Sequence, residues 1–191
     1  VFEDQTGGVW VPVLGEDVGP RPIPFDAIPG PRHALPPDAS PADYLKLFIT
    51  DSFVDEVVNQ TNLYARQYLD RHQEHPRAIA HQWLRKGETN AEEMRAFLGV
   101  MINMGLIKKP SYRGYWDSHH ASQDTPWFRE HFSRDRFELL LKFIHFADNR
   151  HLPSMEIPAN RTYKIDLLLR HFNHVFGSIY VPEEDITIDE S

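Results

Sequence analysis

Nine of the fifteen prolines lie in residues 1–43, together with five of the ten glycines. Proline has no backbone N–H and a locked φ, so it is barred from helix interiors and from central strands. The stretch GEDVGPRPIPFDAIPGPRHALPPDASP therefore reads as part of an irregular arm over residues 1–43. Within it, Val9, Trp10, Val11, Val13 and Leu14 can form a short strand or a docking patch. Six prolines remain for residues 44–191, and there a 3.6-residue apolar period takes over.

Ser40 followed by Pro41 is a helix start, predicting a short helix over Ala42–Phe48. Thr50 can cap a second helix over 51–71, with Phe53, Val54, Val57, Val58, Thr61, Tyr64, Ala65, Tyr68 and Leu69 in one stripe. RHQEHPR breaks it. Asn90 with Glu93, or Thr89 with Glu92, has capping-box spacing ahead of a third helix. Its run FLGVMINMGLI is apolar on nearly all sides, which predicts a central helix with Phe97, Leu98, Met101 and Ile102 in the core. The segment SYRGYWDSHHASQDTPWF reads as short broken turns, Ser133 as the cap of a helix over 134–146, and 162–178 as a last helix. Ile186 and Ile188 alternate with Thr187 and Asp189, a strand pattern. The expectation is a mainly α fold: a helical bundle over 44–180 and a single C-terminal β-strand in 181–191. A lone strand cannot satisfy its own backbone groups, so the rest of its sheet is expected beyond residue 191. The missing initiator methionine fits a piece of a longer chain, although processing would leave the same start.

With no cysteine, the chain holds no disulfide, thiolate zinc site or cysteine nucleophile. No apolar run reaches the roughly 18–20 residues that span a bilayer, and VFEDQTGG lacks the start of a signal peptide. The net charge of −8 is uneven. Residues 1–43 carry two basic and seven acidic side chains, and 181–191 carry five acidic and no basic ones. Residues 44–180 hold eighteen basic and sixteen acidic ones. The chain as a whole therefore lacks the strongly basic footprint usual in nucleic-acid binding.

The local exception is 108–170, with eleven Lys or Arg against eight acids. Here Lys108, Lys109, Arg113, Arg129, Arg134 and Arg136 interleave with Tyr112, Tyr115, Trp116, Trp127 and Phe128. Cations neutralise phosphate and aromatics can stack on bases. The competing reading makes the aromatics core and the charges a solvated face. His171 and His174, at i and i+3, lack the further ligands a zinc site needs. His119–His120 and His72/His75 lie in broken segments. No phosphate loop, GxSxG or HExxH occurs, so no small-molecule enzyme class is supported.

Five stretches in order, YLKLFITDSFVDEVVNQTNLYA, TNAEEMRAFLGVMINMGLIKKPSYRGYW, SRDRFELLLKFIHFADN, YKIDLLLRHFN and PEEDITIDES, resemble the piggyBac transposases and their transposable-element-derived relatives. The resemblance covers about 150 residues. It implies a helical dimerisation and DNA-binding region followed by an RNase H-like catalytic domain, of which 181–191 would be the first strand. It also implies three aspartates that bind divalent metal for cut-and-paste transposition at TTAA targets. The first maps onto Asp189, in TIDES; the other two, and a cysteine-rich zinc-binding reader, have no counterpart in these residues. A single carboxylate does not assemble a two-metal site. The resulting expectation is a DNA-binding and dimerisation module without independent catalysis, resembling a DDD/DDE-type transposase. No cofactor is expected for this stretch alone, and Mg²⁺ is implied for an intact catalytic domain. The expected partners are DNA and a second copy or a related transposase, with no membrane or small-molecule substrate, in the nucleus. The alternative is a domesticated helical protein–protein interaction module that does not bind DNA.

Overall fold

The computed structural model describes residues 2–3, 9–10, 24–72, 81–154 and 161–187. Two compact units divide the chain: Val1–Pro31 with Val181–Ser191, and Arg32–Tyr180. In the first unit, β1 (Phe2–Glu3) and β2 (Val9–Trp10) pair antiparallel, Phe2 opposite Trp10 and Glu3 opposite Val9. Of the two readings of this apolar cluster, strand or docking patch, Val9 and Trp10 take the strand. Two further short strands, β3 (Gly30–Pro31) and β4 (Tyr180–Val181), form a second two-stranded sheet. Gly30 has φ +121°, which a side chain would strain.

The strand expected over 186–189 is corrected in its described part: Ile186 and Thr187 are not in a strand, and Asp189 lies outside the described residues. Alternation alone does not make a strand. The N–H and C=O groups need a partner edge, and at this end it is Tyr180–Val181 that has one.

The helical unit is started by caps that can be read in the sequence. Ser40 and Asp43 form a reciprocal capping box on α1 (Pro41–Phe48), Ser40 N–H donating to Asp43 Oδ2 at 3.0 Å. Thr50 caps α2 (Asp51–Arg71), whose buried face is Phe53, Val54, Val57, Thr61, Asn62, Ala65 and Leu69. A five-residue helix that no periodicity announced, α3 (Gln82–Lys86), buries Trp83 and ends at Gly87, φ +85°. Of the two possible caps on α4 (Ala91–Leu106), Asn90 is the one used, accepting from Glu93 N–H at 2.9 Å. A 3-10 turn over Tyr112–Trp116 and α5 (Pro126–His131) follow, then α6 (Arg134–Phe143), capped by Ser133 and shorter than expected. The last helix, α7 (Asp166–Ile179), follows a 3-10 turn at Tyr163–Ile165.

The core lies among α2, α4 and α6 and is rich in aromatic side chains. Phe143 meets Trp83 edge-on at 5.0 Å, and Phe137 packs between Phe97 at 5.2 Å and Trp116 at 4.8 Å. Asn62 joins α2 to the start of α4: its Nδ2 donates to Thr89 C=O at 2.8 Å and its Oδ1 accepts from Thr89 N–H at 3.0 Å. Helix α7 lies on α1 and α2, with His171 stacked on Phe53 at 4.3 Å and its Nε2 2.7 Å from Phe48 C=O.

The expectation of a central α4 is corrected. Met94, Phe97 and Val100 are buried and Leu98 is half-buried. Met101, Ile102 and Leu106, by contrast, are 43%, 49% and 80% exposed. The core lies to one side of the helix: 94, 97 and 100 are buried there, with Ala91 and Met104 partly buried against it. The apolar residues behind have no described segment over them.

Candidate functional site

The aromatic residues of 112–128 are first of all a scaffold. Tyr115 and Phe128 are buried against each other at 4.6 Å. The Tyr115 hydroxyl donates to Ile107 C=O at 2.7 Å and lies 3.1 Å from Met104 C=O, so it satisfies carbonyls left open at the end of α4. Trp116 Nε1 donates to Phe132 C=O at 2.7 Å and pins the 3-10 turn to the start of α6. Tyr112 and Trp127 remain partly exposed, Tyr112 beneath the Arg113 guanidinium at 5.8 Å and Trp127 against the His131 ring at 4.2 Å.

The six basic residues singled out in the sequence fall into different environments. Lys108 is exposed and has no ion-pair or hydrogen-bond partner among the described residues. Lys109 Nζ donates to Gln123 C=O, in a cleft of about 200 Å³ that Ser111, Asp117 and His120 also line. Arg129 makes two hydrogen bonds to Asp124, of 2.5 and 3.0 Å, and holds that carboxyl below the usual aspartate range. Arg113 and Arg134 are both largely exposed and both reach Glu138, at 3.4 and 3.7 Å. A shallow cleft of about 350 Å³, lined by Trp116, Arg129, Ser133, Arg134 and Asp135 among others, runs beside them.

Arg136 is corrected outright. Its side chain is only 10% exposed. Nε and a terminal nitrogen each donate to Glu93 at 2.6 Å, and the other terminal nitrogen donates to Gly87 C=O at 3.0 Å. The guanidinium also lies over the Trp83 ring at 4.7 Å. It is a structural cation between α4, α6 and the end of α3, and it presents nothing to a ligand. Sequence spacing could not separate it from Arg134, two residues earlier on the same helix.

Glu138 went unnoticed in the sequence. Its i,i+4 spacing from Arg134 was the visible signal; the approach of Arg113 from the 3-10 turn was not visible. Among the described residues, which do not include Asp189, no group of three or more His, Asp or Glu could hold a metal ion. His171 is engaged with Phe48 and Phe53 instead. No helix among the described residues is long and apolar enough to cross a membrane.

A family model described as Transposase IS4 matches residues 40–191. Human PiggyBac transposable element-derived protein 5 is 28% identical over 188 residues, covering 98% of this chain and 33% of its own length. Human PiggyBac transposable element-derived protein 2 is 29% identical over 161 residues, covering 81% of this chain and 23% of its own length. The chain thus spans a third or less of these curated relatives. One solved chain, from a cryo-EM structure of a piggyBac transposase synaptic complex with hairpin DNA, matches with a TM-score of 0.61 at 24% identity. That match covers 82% of this chain and 30% of the solved one. At that identity the likeness speaks for the fold.

Proposed function

The chain belongs to the piggyBac transposase-derived family, matched over residues 40–191, and on that premise we propose that its helical unit is a duplex-DNA-binding and dimerisation module. The observation that carries the reading is a partly exposed basic edge: Arg113, beside Tyr112, and Arg134 meet at Glu138, and Arg129 lines one cleft with Arg134. Cations of this kind contact phosphate without reading sequence, so they position a duplex and leave specificity to other groups. The module works in the nucleus, paired with a second copy or a related transposase. It binds DNA and does not cut it alone: Asp189 is its one family-matched carboxylate, and two-metal phosphoryl transfer needs several. Mg²⁺ belongs to a complete catalytic domain.

A second reading, a protein–protein interaction module with no DNA binding, is favoured by two observations. Met101, Ile102 and Leu106 form an exposed apolar face on α4. Arg113, Arg129 and Arg134 each have an acidic neighbour. Titrating duplex DNA at several salt concentrations decides between the two. Phosphate binding gives an affinity that falls linearly in log–log form, by about 0.9 per contact. No binding at low salt, even at concentrations where the chain is dimeric, supports the second reading and removes the first.

A further inference from the structure

Glu138 is an acid in an unusual place. Its side chain is 16% exposed, on α6, at the centre of the basic edge. Its Oε1 is buried and makes no hydrogen bond, yet lies 3.4 Å from Arg113 Nε and 3.7 Å from Arg134 Nε. A buried carboxylate oxygen without a hydrogen bond is costly. Here two guanidinium groups attract it, and neither closes the bond. Arg113 and Arg134 are themselves 66% and 53% exposed, so most of their N–H donors face solvent. Of the six basic residues picked out in the sequence, these are the two that share one acid. Arg136 next to them shows the contrast: it is buried, with two hydrogen bonds to Glu93 and one to Gly87 C=O.

We infer that Glu138 is an internal stand-in for phosphate, holding Arg113 and Arg134 as a pair and restraining the affinity of this edge for polyanions. The inference rests on the DNA-binding reading above and adds the group that regulates it. A carboxylate and a phosphate compete for the same guanidinium donors. With the carboxylate present, a DNA phosphate must displace a local negative charge. Once that charge is removed, Arg113 keeps the neutral Tyr112 hydroxyl, 3.3 Å from its Nε, and Arg134 keeps Asp135 at 3.7 Å, so each loses one anion that competes with phosphate, while the aromatic scaffold beneath them is untouched.

The test uses the intact chain and a fluorescein-labelled duplex of about 30 base pairs, titrated between about 50 and 200 mM salt. Glu138→Gln keeps the shape and removes the charge. It is expected to bind about five- to tenfold tighter than the parent at the low-salt end, with a slope steeper by about one. Glu92→Gln, an exposed acid on α4, controls for net charge and should change affinity less than twofold. In an Arg113→Ala/Arg134→Ala background the gain from Glu138→Gln should vanish. Thermal unfolding followed by circular dichroism checks each fold. Glu138→Ala, which removes the charge and the side chain together, serves if the Gln variant does not fold, and should also bind more tightly. A parent that binds DNA while the folded Glu138 variants bind no more tightly than Glu92→Gln overturns this inference alone. A parent that binds no DNA at low salt overturns the DNA-binding reading and this inference with it.

Discussion

Arg136 on α6 grips Glu93 on α4 through two hydrogen bonds of 2.6 Å, and its remaining terminal nitrogen reaches Gly87 C=O at 3.0 Å. One side chain thereby ties together two core helices and the turn after α3. Glu93 sits at the capping-box position of α4, but its carboxylate serves Arg136, leaving Asn90 to cap the helix on its own.

Removing either partner strands a largely buried charge. Arg136→Ala should therefore destabilise the chain by about 3–5 kcal/mol. The readout is the urea midpoint at constant m. A loss below about 1 kcal/mol would show that the pair is not part of the fold's support. The salt slope of DNA binding by the folded fraction should stay the same, because this guanidinium touches no ligand.

The same pair sets an acid dependence. Burial pushes the Glu93 carboxyl up, and the hydrogen bonds and charge of Arg136 outweigh it, so its folded pKa lies below the ordinary 4.5. A depressed folded value means that the stabilisation is complete above the unfolded pKa and is lost as pH falls through the folded one. Stability should thus drop below about pH 4.5, with a shallower drop in Glu93→Gln. Identical acid limbs for parent and variant would remove Glu93 as the source.

Asn62 satisfies both backbone groups of Thr89 from the interior. Asn62→Ala leaves a buried donor and a buried acceptor unpaired, and should cost about 2–4 kcal/mol. Hydrogen exchange should accelerate first around Thr89 and the first turn of α4. A melting curve that matches the parent's would mean that water replaces the amide at no cost.

The two faces of α4 should respond differently. Phe97 is fully buried, and Phe97→Ala should cost about 3–5 kcal/mol. Leu106 is 80% exposed, and Leu106→Lys should stay within about 0.5 kcal/mol at dilute concentration. A large loss for Leu106→Lys that grows with protein concentration would reveal a covered face.

On the basic edge, replacing Lys108, Arg113 and Arg134 together by Ala should weaken binding to all duplex sequences alike. The salt slope should flatten by about two to three, one phosphate contact per side chain. Unchanged affinity and slope in the triple variant would place the DNA contacts elsewhere.

Local chemistry was readable without coordinates. Ser40, Thr50, Asn90 and Ser133 cap the helices they were expected to cap, because a cap involves only three or four neighbouring residues. The stripe of α2 faces the core as its period demands. The five family stretches carried the family. What depended on residues far apart in the chain was not readable. The run FLGVMINMGLI shows that a helix is apolar, not which of its sides meets other helices, so Met101 and Ile102, expected inside, lie outside. The spacing Arg134-x-Arg136 shows two cations on neighbouring positions, not that one turns inward to Glu93, 43 residues away, and the other outward. Helix propensity, capping and period act over a few residues and are written in the sequence itself. Burial and ion pairing are properties of the neighbours that folding brings together, and those are chosen when the helices pack.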